Sequence, residues 1–191
     1  MTGGLLAALI AAALAGRSEA PRIGDAVPDF SATAIDGTLV SLHEVLRTQR
    51  VVVVLFLSTV CPYAEFFGDH IGQLAEEYRS TGVFFVGVNS NQFETAAEIV
   101  ESAAAHRQGF PIIHDPDARV ADRLGASCSP EAYVIDRDRK LRYHGWIQSK
   151  LRSPDLKRAL DAMLRGKPVR LASTKAFGCA IDRRRMSFAS R

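Results

Sequence analysis

Cys61 is the residue of this chain whose position most clearly favours chemistry. It follows an apolar run of β-branched and aromatic residues at 51–57, typical of a strand buried on both faces, and it precedes Pro62. Proline suits the first position of a helix, because it has no N–H group to leave unpaired there. We therefore expect Cys61 at a helix N-terminus, where free N–H groups and the helix dipole favour the nucleophilic thiolate. A buried cysteine with a structural role at a strand end is the alternative.

Ser129-Pro130 is a second feature with chemical potential, since it directly precedes a predicted strand. A peptide bond before proline can be cis, and a cis bond leaves the preceding backbone extended and exposed. Such a backbone can pair with a substrate peptide or lie against a sulfur atom. The alternative is a trans proline in an ordinary loop.

The other two cysteines are candidate partners for Cys61. Cys128 lies two residues before Pro130, so it can form a disulfide with Cys61 if the proline faces that sulfur; otherwise it fills a small buried space. Cys179 follows Gly178 in a polar segment near the C-terminus, and the glycine lets the backbone approach another surface closely. We expect Cys179 either to resolve an oxidised Cys61 or to remain an exposed, unpaired thiol. Because no Cys-x-x-Cys pair exists, a structural zinc site is not expected.

Few ionisable residues are placed to assist Cys61. Glu65 lies one helical turn further on, on the same face, and can relay a proton to a leaving thiolate or simply be solvated. Two histidines at predicted strand ends are candidate bases, His114 and His144. His106 is predicted to be an ordinary surface residue.

The predicted elements alternate between strand and helix. The predicted strands cover residues 29–35, 38–42, 51–57, 83–88, 110–114, 131–135 and 140–147. The predicted helices cover residues 62–79, 94–107, 117–124 and 154–164, and Ser153 caps the last of them. This order predicts an α/β fold in which helices cover both faces of a mixed sheet, with a short β extension at the N-terminus.

Several motifs along the chain resemble those of one known group. They are Gly24-Asp25-Ala26-Val27-Pro28-Asp29-Phe30, Asp36-Gly37 with Val40-Ser41-Leu42, the strand before Cys61-Pro62-Tyr63, Val88-Asn89-Ser90-Asn91, Phe110-Pro111 with Asp115, Gly125 with Ser129-Pro130-Glu131, and Tyr143 with Gly145. Their order and spacing over residues 22–181 resemble the redoxin branch of the thioredoxin superfamily, the alkyl hydroperoxide reductase/thiol-specific antioxidant group with its peroxiredoxin-like members.

The resemblance implies a thioredoxin fold, a nucleophilic Cys61 and a cis Pro130 that faces it. It implies thiol–disulfide exchange or antioxidant peroxide reduction, with a protein disulfide, a thiol or a peroxide as substrate. An external thiol would serve as the reductant, and no cofactor or metal is implied. On this resemblance Ser58 stands where peroxiredoxins have a threonine hydroxyl beside the nucleophile.

The sequence also departs from the patterns of that group. Ala64 occupies the place of the resolving cysteine of dithiol thioredoxins, and Val54 replaces a proline of the peroxiredoxin motif. No residue maps onto the peroxiredoxin arginine, so neither a fast peroxidase nor a simple dithiol reductase is fully matched. The alternatives are a non-catalytic or a metal-handling thioredoxin-fold protein. Copper-delivery relatives, however, need a thiol where Glu65 stands.

Length and composition set the remaining expectations. The chain has 191 residues and a formal net charge of +3, which suits one domain with terminal extensions. No basic stripe is interleaved with aromatic residues, so nucleic-acid binding is not expected. We expect a domain at 21–168 and a polar tail at 169–191 that carries Cys179, with the basic run at 183–185 in solvent.

The N-terminus is predicted to be an export signal. Residues 3–16 form an apolar run, shorter than the ~20 residues of a membrane span, and Ala13-Leu14-Ala15 offers a cleavage site. We therefore predict a signal peptide at 1–20 and a periplasmic or extracellular protein that is not inserted in a membrane after cleavage. No Lys or Arg precedes the run, and a short membrane anchor is the alternative.

Overall fold

The computed structural model describes residues 20–148 and 155–183. Its strands are β1 Ser31–Thr33, β2 Leu39–Ser41, β3 Val51–Phe56, β4 Val83–Asn89, β5 Ile112–His114, β6 Cys128–Ser129, β7 Glu131–Asp136, β8 Leu141–Gly145 and β9 Cys179–Ala180. Its helices are α1 Leu42–Thr48, α2 Pro62–Tyr78, α3 Ala96–Ala105, α4 Arg119–Leu124 and α5 Asp155–Leu164. The predicted signal peptide, apart from Ala20, and the predicted cap of the last helix lie outside the described residues.

The main sheet has five strands in the order β5-β4-β3-β7-β8. β3 pairs in parallel with β4 and antiparallel with β7, with Val53 opposite Phe85 on one side and Val134 on the other. All residues of β3 are buried, as expected for a central strand that is covered on both faces. The predicted mixed sheet is therefore confirmed, with β7 and β8 as its antiparallel hairpin.

Helices cover both faces of this sheet, as predicted. Alternate residues of β3 divide between the two cores, because successive side chains of a strand point to opposite faces. Val52 and Val54 pack in a core with residues of α1 and α4, whereas Val53 and Leu55 pack in a core with residues of α2 and α5. None of the helices in the described part of the chain is long and apolar enough to cross a membrane.

Helix α2, which begins beside Cys61, packs closely against the end of α3. A Cβ atom added at Gly72 would lie 2.3 Å from the carbonyl oxygen of His106, so only glycine permits this approach. The His106 side chain is 11% exposed and lies between Glu65 and Asp69 of α2. The prediction of His106 as a surface residue is therefore wrong, because the turn after α3 folds back onto α2.

The described residues after α5, as far as 183, pack along the domain. Residues 172–174 pair with the backbone of His144 in β8, and β9 then pairs with β6. Ile181 is buried in the core, and Arg183 forms an ion pair with Asp122 over 3.1 Å. Of the basic run predicted to lie in solvent, Arg183 is 36% exposed and paired with an acidic side chain of α4, whereas residues 184 and 185 lie outside the described residues.

Candidate active site

Cys61 lies between the carboxyl end of β3 and the start of α2. It is the N-cap residue of α2, with Pro62 at the first helical position, as predicted. Its side chain is buried, and its sulfur makes no capping hydrogen bond with the helix. The Cys61 thiol instead donates to the carbonyl oxygen of Ser129, 3.0 Å away. This contact ties the Cys61 sulfur to the backbone of β6.

The Ser129–Pro130 peptide bond is cis. The carbonyl group that precedes Pro130 is the one that contacts the Cys61 sulfur. The structure therefore brings together the two residues that the resemblance placed face to face. The β6 backbone just before the proline forms the wall of the site.

Cys179 reaches the same site from the C-terminal segment. In the antiparallel pair of β6 and β9, Cys179 lies opposite Ser129 and Ala180 lies opposite Cys128. Cys179 thereby lies close enough to the Cys61 side chain for the two thiols to influence each other. Burial, and next the interaction with Cys61, raises the pKa of Cys179 to about 11. Two cysteines that are far apart in sequence thus lie close together beside the cis proline.

Gly178 makes this approach of β9 to β6 possible. A Cβ atom added at Gly178 would lie 2.0 Å from the carbonyl oxygen of Ser129 and 2.6 Å from its carbonyl carbon. Both atoms belong to the backbone and cannot turn away. The close approach that the sequence predicted for Gly178 is therefore present, and its target is the β6 backbone.

The raised pKa of Cys179 leads to a measurable pH dependence. In the reduced protein, the thiolate fraction of a group with a pKa of about 11 should grow about tenfold per pH unit up to about pH 10. We expect the rate of Cys179 alkylation by iodoacetamide, followed by peptide mass spectrometry, to rise without a plateau over that range. In Cys61→Ala the interaction of Cys61 with Cys179 is gone, so the pKa of Cys179 should fall. The rate of Cys179 alkylation should then level off at a lower pH than in the wild type. Identical profiles for the two proteins would contradict the contact.

Cys128 lies beside the site but is held by a different partner. Its sulfur is 4.0 Å from a carboxylate oxygen of Glu131. Burial, and next the negative charge of Glu131, raise the pKa of Cys128 to about 11. Of the two cysteines predicted as partners for Cys61, the structure places Cys179 opposite Ser129, beside the Cys61 thiol, and leaves Cys128 against an acid.

Glu131 is a buried acid that the sequence analysis did not single out. Its carboxylate accepts hydrogen bonds from the backbone N–H groups of Ser127 at 2.8 Å and Cys128 at 3.2 Å. It also lies 2.6 Å from Nε2 of His144, which was predicted only as a candidate base. Burial by itself would raise the pKa of Glu131, but the hydrogen bonds from His144, Ser127 and Cys128 outweigh it and lower the pKa. The ionised carboxylate therefore anchors the β6 backbone that faces Cys61.

Ser58 does not contact the nucleophile in the way that the resemblance implied. Its hydroxyl donates to Glu94 over 2.6 Å, and Glu94 also accepts from the Thr59 N–H at 2.5 Å and from Asn89 at 2.7 Å. Glu94 is buried, and the sequence analysis placed it only within a predicted helix. Ser58 and Glu94 together hold the loop that leads to Cys61, and neither is a hydrogen-bond partner of the sulfur.

Glu65 is also engaged elsewhere. Its carboxylate lies 2.9 Å from Nε2 of His106, and only its backbone N–H reaches Cys61, donating to the carbonyl oxygen over 3.0 Å. Burial by itself would lower the pKa of His106, but hydrogen bonds to Glu65 and Asp69 raise it overall. The proton-relay role predicted for Glu65 therefore has no contact with the sulfur to support it.

Metal chemistry gains no support from the side-chain arrangement. Within residues 20–148 and 155–183, no three or more His, Cys, Asp or Glu side chains are arranged to hold a metal ion. The candidate site that the structure presents is the pair of sulfur atoms beside Pro130.

Several known proteins are similar to this chain. Thiol-disulfide oxidoreductase ResA of Halalkalibacterium halodurans is 30% identical over 117 residues, which cover 60% of this chain and 63% of ResA. The chain thus matches somewhat less than two thirds of that relative's length. A hypothetical protein of Sinorhizobium meliloti has a crystal structure with a TM-score of 0.79 at 30% identity, covering 87% of this chain and 97% of its own.

A second solved structure is similar to this chain, and a family model matches most of its length. An uncharacterised protein from Geobacillus kaustophilus has a TM-score of 0.79 at 29% identity, with 86% of this chain and 94% of its own covered. The fold is the thioredoxin fold, as the resemblance implied. The model of the AhpC/TSA family matches residues 23–144, which include Cys61 and Pro130. The chain therefore belongs to the AhpC/TSA family, as a redoxin-like member of the thioredoxin superfamily.

Proposed function

We propose that this protein is a thiol-dependent oxidoreductase that exchanges disulfides through Cys61 and completes the reaction with Cys179. The observation that carries this proposal is the contact between the two thiols beside the cis proline. A nucleophile needs a second thiol to release its product, and the usual position for one, three residues further on, holds Ala64. Cys179 supplies a thiol at the place where that second one is needed.

The reaction has two exchange steps. Cys61 loses its proton and its thiolate attacks one sulfur of a substrate disulfide, which forms a mixed disulfide and releases the other substrate sulfur as a thiol. The Cys179 thiolate then attacks the Cys61 sulfur, which forms the Cys61–Cys179 disulfide and releases the second substrate thiol. The protein gives two electrons and two protons to the substrate. An external thiol reductant restores both cysteines by the reverse exchange.

The surroundings of Cys61 suit a disulfide better than a peroxide. Reduction of a peroxide benefits from hydrogen-bond donors that stabilise the leaving oxygen. Among the described residues, however, the Cys61 sulfur has the Ser129 carbonyl oxygen as its hydrogen-bond partner and the Cys179 thiol beside it. The Ser58 hydroxyl is committed to Glu94. An extended backbone at the wall of the site is, by contrast, a surface that a polypeptide strand can pair with.

The proposal is tested by rapid mixing of the reduced protein with equal concentrations of an oxidised peptide or of hydrogen peroxide. Samples are quenched with acid, alkylated and mapped by mass spectrometry. We expect the peptide disulfide to react faster and to yield a Cys61–Cys179 disulfide while Cys128 remains free. If peroxide instead oxidises Cys61 faster than the peptide disulfide does, the proposed activity is wrong and the protein is a peroxide reductase. Failure of both oxidants would leave a non-catalytic binding protein with this fold.

We further propose that the protein works outside the cytoplasm. The support is the apolar N-terminal run at 3–16 with its small-residue cleavage site, and a reactive dithiol suits compartments in which disulfides form and persist. Cell fractionation with detection of a shortened chain that begins between residues 16 and 21 tests this. An uncleaved chain in the cytoplasm would contradict it.

A further inference from the structure

The chain covers its own site with residues 177–181, which we call the covering segment. This segment lies antiparallel along β6, and the N–H of Ile181 donates to the carbonyl oxygen of Ser127 over 3.1 Å. It thus occupies the strand-pairing edge next to Pro130. Its cysteine is placed opposite Ser129, the residue whose carbonyl contacts Cys61.

A side chain of the covering segment also fills a neighbouring aromatic site. Phe177 packs edge-on against Tyr63, with ring centroids 5.0 Å apart, and at a tilt against Trp146, with centroids 5.4 Å apart. Tyr63 and Trp146 contact each other at 6.1 Å, so together they form a receptor for one aromatic ring, which we call the aromatic site. Phe177 remains 57% exposed there, and it lies two residues before Cys179.

We propose that the covering segment occupies the binding site of the substrate, which is an extended polypeptide that carries an aromatic residue two positions before its reactive cysteine. The substrate cysteine takes the place of Cys179, and its aromatic side chain takes the place of Phe177 in the aromatic site. This inference rests on the proposed function and adds the class of polypeptide that Cys61 acts on.

The exchange of one segment for the other is nearly balanced in contacts. A substrate strand on β6 remakes the pairing that the covering segment loses, and its aromatic ring remakes the contacts with Tyr63 and Trp146. β9 has only two residues, so little pairing must break. The mixed disulfide with Cys61 then retains the substrate against a competitor that is tethered to the same chain.

The return of the covering segment completes the reaction. When Cys179 comes back to its place opposite Ser129, its sulfur attacks Cys61, and its backbone takes the edge of β6 from the substrate. The second exchange step and the release of the reduced polypeptide are therefore one movement. A cysteine in the first turn of α2 would not displace the product in this way.

The test uses the full chain with Cys128→Ser and Cys179→Ser, which leaves Cys61 as its single cysteine. One probe is a peptide with the sequence of residues 174–181, whose cysteine carries a thionitrobenzoate leaving group; the matched probe has Ala in place of its Phe. Cys61 attack on the peptide sulfur releases the coloured thiol. We expect the Phe peptide to react about tenfold faster, because its ring makes contacts with Tyr63 and Trp146 that the Ala peptide lacks. Equal rates for the two peptides would contradict the claim that the aromatic site binds a substrate side chain.

Variants of the same protein separate binding from competition. Tyr63→Ala should remove the preference for the Phe peptide, whereas Phe93→Ala, which changes an aromatic residue that is 76% exposed, should leave it unchanged. Phe177→Ala should speed the reaction of the Phe peptide, because the covering segment then competes less well. A preference that survives Tyr63→Ala, or a slower reaction in Phe177→Ala, would contradict the proposal.

Hydrogen–deuterium exchange of the trapped mixed disulfide reports the displacement itself. We expect amide protection to fall in the covering segment and to persist in residues 127–129. Protection in the covering segment that stays unchanged would overturn its displacement. Hydroxyethyl disulfide serves as a control without a peptide: if it also fails to react with Cys61, the proposed function fails. If it reacts while both peptides behave alike, this inference alone fails.

Discussion

Replacement of Cys179 by Ser is expected to stop turnover after the first exchange step, so that a mixed disulfide between Cys61 and the substrate accumulates. Cys61 keeps its place between β3 and α2 in this variant, and its attack does not require the second thiol. Release then depends on an external thiol, which lacks the proximity that makes well-oriented intramolecular reactions fast. We expect turnover to fall by about 100-fold or more. Non-reducing mass spectrometry of the quenched reaction measures the intermediate.

Two further cysteine variants give this prediction its controls. Cys61→Ser should form no mixed disulfide at all, because the attacking sulfur is gone. Cys128→Ser should turn over nearly as the wild type does, since the Cys128 sulfur lies against Glu131. If Cys128→Ser instead accumulates the intermediate and Cys179→Ser does not, Cys128 is the second thiol and the role of Cys179 is wrong.

Replacement of Gly178 by Ala should disable the second exchange step while both cysteines remain present. The added Cβ would meet the backbone of Ser129 at 2.0 Å, so residues 177–181 must move away from β6. Cys179 then no longer reaches Cys61 in its docked geometry. We expect formation of the Cys61–Cys179 disulfide to slow by about 100-fold, measured by acid quenching and alkylation over time.

Gly109→Ala is the matched control for this glycine substitution. Its added Cβ would meet the end of the flexible Arg79 side chain at 3.1 Å, which can move aside at little cost. Gly109→Ala should unfold in urea near the wild-type midpoint and Gly178→Ala somewhat below it, because Ile181 then leaves the core. Both should remain folded under the assay conditions, so that a slow second step in Gly178→Ala reflects lost docking. A Gly178→Ala protein that closes its disulfide at the wild-type rate would show that the docked geometry is not the reactive one.

The main sheet was predictable from sequence because its strands have strong local patterns. The apolar run at 51–57 became β3, and 131–135 became most of β7. Helix α1 was missed, since residues 38–42 were interpreted as a strand alone. A signal was present, however: Ser41 caps the helix by accepting the N–H of Glu44 at 3.4 Å, which is the Ser-x-x-Glu pattern of a helix start.

The two short strands at the site could not be predicted in the same way. β6 and β9 have two residues each, too few for any periodicity, and each is a strand only because it pairs with the other. That pairing depends on contacts between distant parts of the chain. The sequence predicted a glycine-assisted approach by Cys179, but nothing in it identified β6 as the surface approached.

The site was predicted where chemistry depends on neighbours in sequence and missed where it depends on distant ones. The helix-start position of Cys61 follows from Pro62 beside it. The carboxylate of Glu94 acts on Ser58, 36 residues away, and that of Glu131 acts on His144, 13 residues away. Each acid has an unremarkable sequence context, so its anchoring role appears only when the partners are brought together in space.

The position of Cys179 on a segment that covers the site has a thermodynamic consequence. In a Cys-x-x-Cys pair, oxidation joins residues that are already neighbours, whereas here it would fasten the C-terminal segment over the β6 edge. Oxidation and closure therefore favour each other, and linkage makes the effect reciprocal. A polypeptide that holds the edge open would shift the reduction potential of the pair and make the dithiol form easier to maintain.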